Sequence, residues 1–188
     1  MFTLETERLR LRPLTIKDAK ELHQLLDVDP EVWRFDPGYA RSFEERVECI
    51  KKRLDQYSIY EFGCFATERK EDGKVIGQGG LSPHQFENND GSITDEFEVM
   101  YALGKDYWGQ GYATEAAAAW VRYAFDTLKL KRLVVCPAKA NIASVRVLEK
   151  LGFRIEDDPL EEESVLAFKE NNNIDYSFSK NIAIDVTA

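Results

Sequence analysis

The stretch that most constrains this chain is Trp108-Gly109-Gln110-Gly111-Tyr112-Ala113-Thr114-Glu115-Ala116. It lies between a strand-like run, Phe97 to Leu103, and a helix-like run, Thr114 to Leu128. A chain that turns from strand to helix through small residues leaves several backbone N–H groups pointing out of the helix N-terminus. Together with the positive end of the helix dipole, those donors form a site for an anion such as a phosphate. Two glycines one residue apart tolerate unusual dihedrals and let a ligand approach the backbone closely. Taken alone, the stretch reads equally well as a tight turn that starts a helix.

The pattern on either side places this junction in a mixed architecture. Leu9-Arg10-Leu11-Arg12 alternates like a half-buried strand, and Pro13 ends it. Thr15 with Asp18 reads as a capping box, and Ile16, Ala19, Leu22 and Leu26 follow at helical spacing. Asp29 to Gly38 reads as a loop with a short helical turn. Ser42 with Glu45 starts a second capped helix that turns Val47, Ile50 and Leu54 inward. Gly63 to Thr67 and Val75 to Leu81 read as strands joined through Glu71-Asp72-Gly73-Lys74, and a polar loop from Glu87 to Ser92 leads to the strand Glu96 to Leu103. Leu133-Val134-Val135-Cys136 reads as a short buried strand stopped by Pro137. Asn141 caps a helix reaching about Leu151, Gly152 takes the left-handed C-cap, and Phe153-Arg154-Ile155 is extended again. The resulting order, β-α-α-β-β-β-α-β-α-β with a weakly specified tail, predicts a mixed sheet covered on both faces. With no repeat and no dividing linker, residues 1–188 are expected to form one domain.

Composition removes several alternatives. A chain with 44% hydrophobic and 31% charged residues can build a core, and no apolar run approaches a membrane span. Glu5, Glu7, Arg8, Arg10 and Arg12 interrupt any signal-peptide core. Cys49, Cys64 and Cys136 have no metal-ligand spacing and cannot all pair, which fits a reducing cytoplasm and no metal. A net charge of −9 argues against nucleic acid and mildly favours cationic ligands. Glu156-Asp157-Asp158 and Glu161-Glu162-Glu163 read as solvated loop.

Five blocks then carry a resemblance: Thr6 to Pro13, Asp29 to Val32, Ile76 to Leu81, Tyr107 to Ala116, and Asn141-Ile142-Ala143-Ser144-Val145-Arg146-Val147-Leu148-Glu149-Lys150-Leu151-Gly152-Phe153. In that order they resemble the GNAT superfamily of acyl-CoA N-acyltransferases, and most of all its RimJ/RimL ribosomal-protein N-acetyltransferase branch. The resemblance implies an α/β (α+β) fold with a central mixed, mostly antiparallel twisted sheet; residues 158–188 match weakly. It implies acetyl-CoA as co-substrate and no metal. It places the diphosphate on Gln110, Gly111, Tyr112, Ala113 and Thr114, with Gly109 for close approach, although Trp108 stands where the family usually has Gln or Arg. It gives Asn141 the pantetheine arm and puts Ser144 near the thioester sulfur. The family often places a Tyr general acid where this chain has Leu148, which leaves Ser144 or water to protonate the departing thiolate.

Acetyl transfer needs a neutral amine. A lysine-like amine is only about 0.04% neutral at pH 7, and an α-amine roughly 10–20%, so a general base matters most for the former. Alternation places Glu96, Glu98 and Met100 on one strand face and Phe97, Val99 and Tyr101 on the other. By resemblance Glu98 aligns with the base, and the strand N–H groups at Val99, Met100 and Tyr101 polarise the acetyl carbonyl. Met100, where relatives often have Gly, is expected to narrow the acyl pocket. Trp33, Arg34 and Phe35 are candidate substrate contacts. His23 and His84 have no partner visible in sequence, and Cys136 reads as a buried strand residue. The expected reaction is direct attack in a ternary complex on a primary amine, either a peptide N-terminus or a small cationic amine. A non-catalytic acyl-CoA-binding module is the alternative, and a homodimer stays open.

Overall fold

Leu9 and Leu11 are fully buried while Arg10 between them is exposed, so the alternation does build a half-buried strand. The structure, a computed structural model, describes residues 2–87 and 91–171. Strands β1 (Leu4–Glu5) and β2 (Leu9–Pro13) are followed by α1 (Ala19–Leu26), the short α2 (Pro30–Trp33) and α3 (Phe43–Tyr60). Next come β3 (Cys64–Arg69), β4 (Val75–Glu87), β5 (Ile93–Leu103) and α4 (Tyr112–Arg122). The chain continues with β6 (Arg132–Val135), α5 (Ile142–Lys150), β7 (Arg154–Asp157) and β8 (Val165–Glu170).

Local chemistry sets several of these boundaries. The α3 capping box is reciprocal: Glu45 N–H donates to Ser42 Oγ at 3.2 Å, and Ser42 N–H donates to the Glu45 carboxylate at 2.7 Å. Helix α4 is shorter than its periodicity suggests, passing at Arg122 into a π turn, Tyr123–Thr127.

The strands form two sheets, in the orders β1-β2-β3-β4-β5 and β6-β8-β7. Every strand pairing among the described residues is antiparallel, so the expected antiparallel majority is the whole of the pairing. The break falls between β5 and β6. Strand β8, absent from the expected order, lies between β6 and β7, with Val134 opposite Phe168 and Arg154 opposite Phe168 on its other edge. Glu156 and Asp157 are therefore exposed strand residues rather than loop. Cys136 lies just past β6, half-buried, and not inside a strand. Residues 172–188, the end of the weakly matched tail, lie outside the described residues.

Helices cover both faces of the five-stranded sheet. On one face Leu9, Leu11, Phe65, Ile76, Val99 and Leu103 pack against Ala116, Ala117 and Trp120 of α4. On the other, Cys64, Ala66 and Val75 meet Leu22 and Leu26 of α1 and Ile50 of α3. The small alanines let α4 lie close to the sheet, and the fully buried Trp120 meets the Phe65 ring edge-on at 5.0 Å. No helix among the described residues is long and apolar enough to cross a membrane.

Candidate active site

Strand β5 is the wall between two compartments. Phe97, Val99, Tyr101 and Leu103 belong to the α4 side, whereas Met100 and Ala102 pack on the α1/α3 side, the parity that Glu98 shares. The backbone alternates as well. Gly104 N–H donates to Ile76 O at 3.0 Å, so in this register Met100 bonds β4 through its main chain. The N–H groups of Val99 and Tyr101 point the other way, into the unpaired gap beside β6. Val99, Met100 and Tyr101 thus do not present three N–H groups to one ligand. Trp108 closes the end of this free edge by donating its indole N–H to Leu103 O at 2.8 Å.

At the glycine turn, Gly109 and Gly111 have φ of +72° and +83°, a conformation that favours glycine. Gly111 is the N-cap of α4, and no side chain among the described residues caps the helix, which leaves the N–H groups of Tyr112, Ala113 and Thr114 without a capping partner there. A Cβ at Gly109 would meet nothing within 4 Å, leaving the turn open to a ligand. The Gln110 side chain is turned back, donating to Asp106 O at 2.8 Å.

Sequence reading missed what holds this turn. Glu115, in the first turn of α4, accepts from Thr6 Oγ1 at 2.6 Å, Arg8 N–H at 2.8 Å and Arg8 Nε at 2.7 Å. Arg8 Nη1 donates onward to Gln110 O at 3.0 Å, and its guanidinium lies 4.3 Å from the centroid of the Tyr112 ring. Burial alone would raise the Glu115 carboxyl; the bonds from Thr6 and Arg8 outweigh it and hold it below its usual value. Residues more than a hundred positions apart meet here, which no local periodicity signals.

Across the gap, Asn141 is the N-cap of α5, and its Oδ1 accepts from Ser144 N–H at 3.2 Å. That bond uses the Asn141 carbonyl and leaves its amide hydrogens to donate elsewhere. Ser144 Oγ lies 3.0 Å from Tyr101 Oη, so the serine is bonded to β5. Leu148, one turn later, is fully buried.

On the opposite face of β5, burial raises the Glu98 carboxyl; the charges of His84 and Arg53 oppose this, and that of Asp36 adds to it. The β4–β5 register sets Ser82 opposite Glu98 and His84 opposite Glu96. Glu96 is paired with Arg132, whose Nη2 lies 2.6 Å away. Asp36 extends the Trp33-Arg34-Phe35 segment, which places that segment's end within the electrostatic reach of Glu98. Arg34 stacks over Phe35 at 4.6 Å, and Trp33 Nε1 is buried without a hydrogen-bond partner among the described residues. His23 has the partner its sequence hid, bonding Asp27 through Nδ1 at 3.2 Å. Burial pushes the Cys136 thiol up to about 11, the opposite of an activated nucleophile.

An acetyltransferase (GNAT) domain model matches residues 8–154. YkkB of Bacillus subtilis (strain 168) is 32% identical over 149 residues, covering 79% of this chain and 83% of that protein. Spermidine N(1)-acetyltransferase of Escherichia coli (strain K12) is 29% identical over 154 residues, covering 82% and 77%. A solved structure of RimL, a ribosomal L7/L12 alpha-N-protein acetyltransferase in complex with coenzyme A, superposes with a TM-score of 0.70 at 17% identity. That superposition covers 90% of this chain and 98% of RimL, a likeness of fold.

Proposed function

The chain belongs to the GNAT acetyltransferase family and is an acetyl-CoA-dependent N-acetyltransferase, and we propose that its acceptor is a small cationic amine of high pKa. The observation that carries this reading is Glu98, a carboxylate raised by burial on the acceptor face, where the charges of His84 and Arg53 oppose the rise without cancelling it and that of Asp36 adds to it. A carboxylate with a raised pKa is a stronger base, and a lysine-like ammonium needs one far more than an α-amine does. The name of the spermidine-acetylating relative supports the same class. A peptide N-terminus is the second reading, favoured by the unpartnered indole N–H of Trp33, a donor suited to a peptide carbonyl.

In this reading acetyl-CoA supplies the activated acyl group, and the residues present fit it. The uncapped N-terminus of α4 from Gly111 to Thr114 holds the diphosphate, with Gly109 and Gln110 completing the turn. The Asn141 amide donates to the pantetheine arm, and the outward N–H groups of Val99 and Tyr101 polarise the acetyl carbonyl. Trp33, Arg34 and Phe35 contact the amine substrate. Glu98 takes the ammonium proton on one side of β5, and the Ser144 hydroxyl faces the sulfur on the other. Met100, on the acceptor face, narrows the acyl pocket. No covalent enzyme intermediate is needed.

The test is thiol release from acetyl-CoA with a panel of polyamines, other small amines and peptides of varied N-terminus. Turnover concentrated on polyamines supports the first reading, and turnover concentrated on peptides the second. Acetyl-CoA binding without thiol release above hydrolysis would identify a non-catalytic module. If Arg8 braces the turn, Arg8→Ala should weaken acetyl-CoA binding by roughly 3–10-fold, the scale of one net hydrogen bond. Isothermal titration measures it; the amine KM is expected to stay within about twofold.

A further inference from the structure

Tyr101 and Ser144 form a hydroxyl pair of which the proposed reaction uses only the serine. Tyr101 Oη lies 3.0 Å from Ser144 Oγ and 3.2 Å from Ser144 O. Two hydroxyl protons serve this cluster, and two arrangements keep a hydrogen bond between the two hydroxyls. If Tyr101 donates to the Ser144 carbonyl, the Ser144 proton is drawn toward Tyr101 Oη and is spent inside the pair. If Tyr101 donates to Ser144 Oγ, the Ser144 proton is free to point outward. An acceptor beside Ser144 selects the second arrangement. Leu148, one turn along α5, is buried and has no donor to offer in place of this pair.

We propose that Tyr101 is a positioning residue that locks the Ser144 hydroxyl as a hydrogen-bond donor to the departing coenzyme A sulfur. The inference rests on the reading that Ser144 faces that sulfur. When the amine nitrogen bonds the acetyl carbon, the C–S bond breaks and sulfur leaves with the electron pair; the amine proton goes to Glu98. Ser144 O–H donates to the thiolate without giving up its proton, and Tyr101 O–H donates to Ser144 Oγ. The charge on sulfur polarises both bonds in line. Burial pushes the Tyr101 phenol up to about 12, against the opposing bond from Ser144, so the phenol keeps its proton across the working pH range. Strand β5 then serves both ends of the single transfer step, with the base on one face and the brace for the leaving group on the other.

The experiment titrates the thiol of coenzyme A bound to the enzyme, followed by the ultraviolet absorbance of the thiolate, alongside turnover. The wild type should hold the bound thiol below the roughly 8.5 of a free thiol. Tyr101→Phe should raise it by about one unit and cut kcat about 10-fold, with coenzyme A affinity within about twofold. Ser144→Ala should raise it at least as far, and the double variant should be no slower than Ser144→Ala alone. A Tyr101→Phe enzyme with the wild-type thiol pKa and kcat, beside a Ser144→Ala enzyme that has lost both, overturns the role of Tyr101 and leaves that of Ser144. A Ser144→Ala enzyme unchanged in both overturns the underlying reading. Should Tyr101→Phe fail to bind coenzyme A, 3-fluorotyrosine at position 101 replaces it. That stronger donor should lower the bound thiol pKa, and no change would count against the proposal.

Discussion

Glu98→Gln is expected to lower kcat/KM for a lysine-like amine by roughly 10²–10⁴ at pH 7, the range for loss of a general base. The glutamine keeps the size of the side chain and its place on β5 but cannot take a proton. The deficit should depend on pH in a defined direction. Burial raises the Glu98 carboxyl above its ordinary 4.5, so in the wild type the basic form is lost earlier than usual as pH falls. That acid limb of kcat/KM should disappear in the variant. As pH rises toward the amine pKa, near 10.4 for a lysine-like group, neutral substrate becomes abundant and the variant should approach the wild type. For a peptide α-amine, already roughly 10–20% neutral at pH 7, the deficit should be markedly smaller. Equal wild-type and variant rates at both neutral and high pH would remove Glu98 from the role of base.

Local rules made the frame of this site readable. Alternation sorted Glu98 and Met100 from Val99 and Tyr101, and glycine spacing located the turn whose left-handed residues proved to be Gly109 and Gly111. The Asn141 cap and the left-handed Gly152, with φ of +75°, also followed from residue type. What stayed hidden depends on partners distant in the chain. Which β5 N–H groups are free is a question of register against β4, and alternation of side chains does not answer it. The bracing of the turn by Arg8 joins residues at opposite ends of the β-rich half of the chain. Strand β8 escaped because Val165-Leu166-Ala167-Phe168 is short, follows an acidic run and buries only Ala167 fully. The Tyr101–Ser144 bond spans 43 positions, so spacing alone could place the serine but not the hydroxyl behind it.

The largest stability effect should come from Asp27, the C-cap of α1, to which the proposed reaction gives no substrate contact. Asp27 and Arg46 are each 1% exposed and meet through two bonds, Nε to Oδ2 at 2.8 Å and Nη2 to Oδ1 at 2.5 Å. His23 approaches the same carboxylate at 3.2 Å and Arg41 at 3.9 Å, while Arg46 Nη1 donates to Gln78 Oε1 at 3.3 Å. Asp27→Ala strands a guanidinium in the core and is expected to destabilise the fold by about 3–5 kcal/mol, a large share of the roughly 5–15 kcal/mol typical of a domain. Urea unfolding measures it. The pair need not be a net source of stability, because two buried charges pay for their desolvation; Asp27→Leu with Arg46→Met should recover most of the loss. What the ion pair does supply is a fixed span. It ties the end of α1 to the first turn of α3, and so closes the segment from 28 to 45 that carries Trp33, Arg34, Phe35 and Asp36. The recovered double variant should therefore bind acetyl-CoA normally and show a raised amine KM. An unchanged amine KM in that stable variant would mean that the acceptor segment is held by its own packing, and that Asp27 serves the core alone.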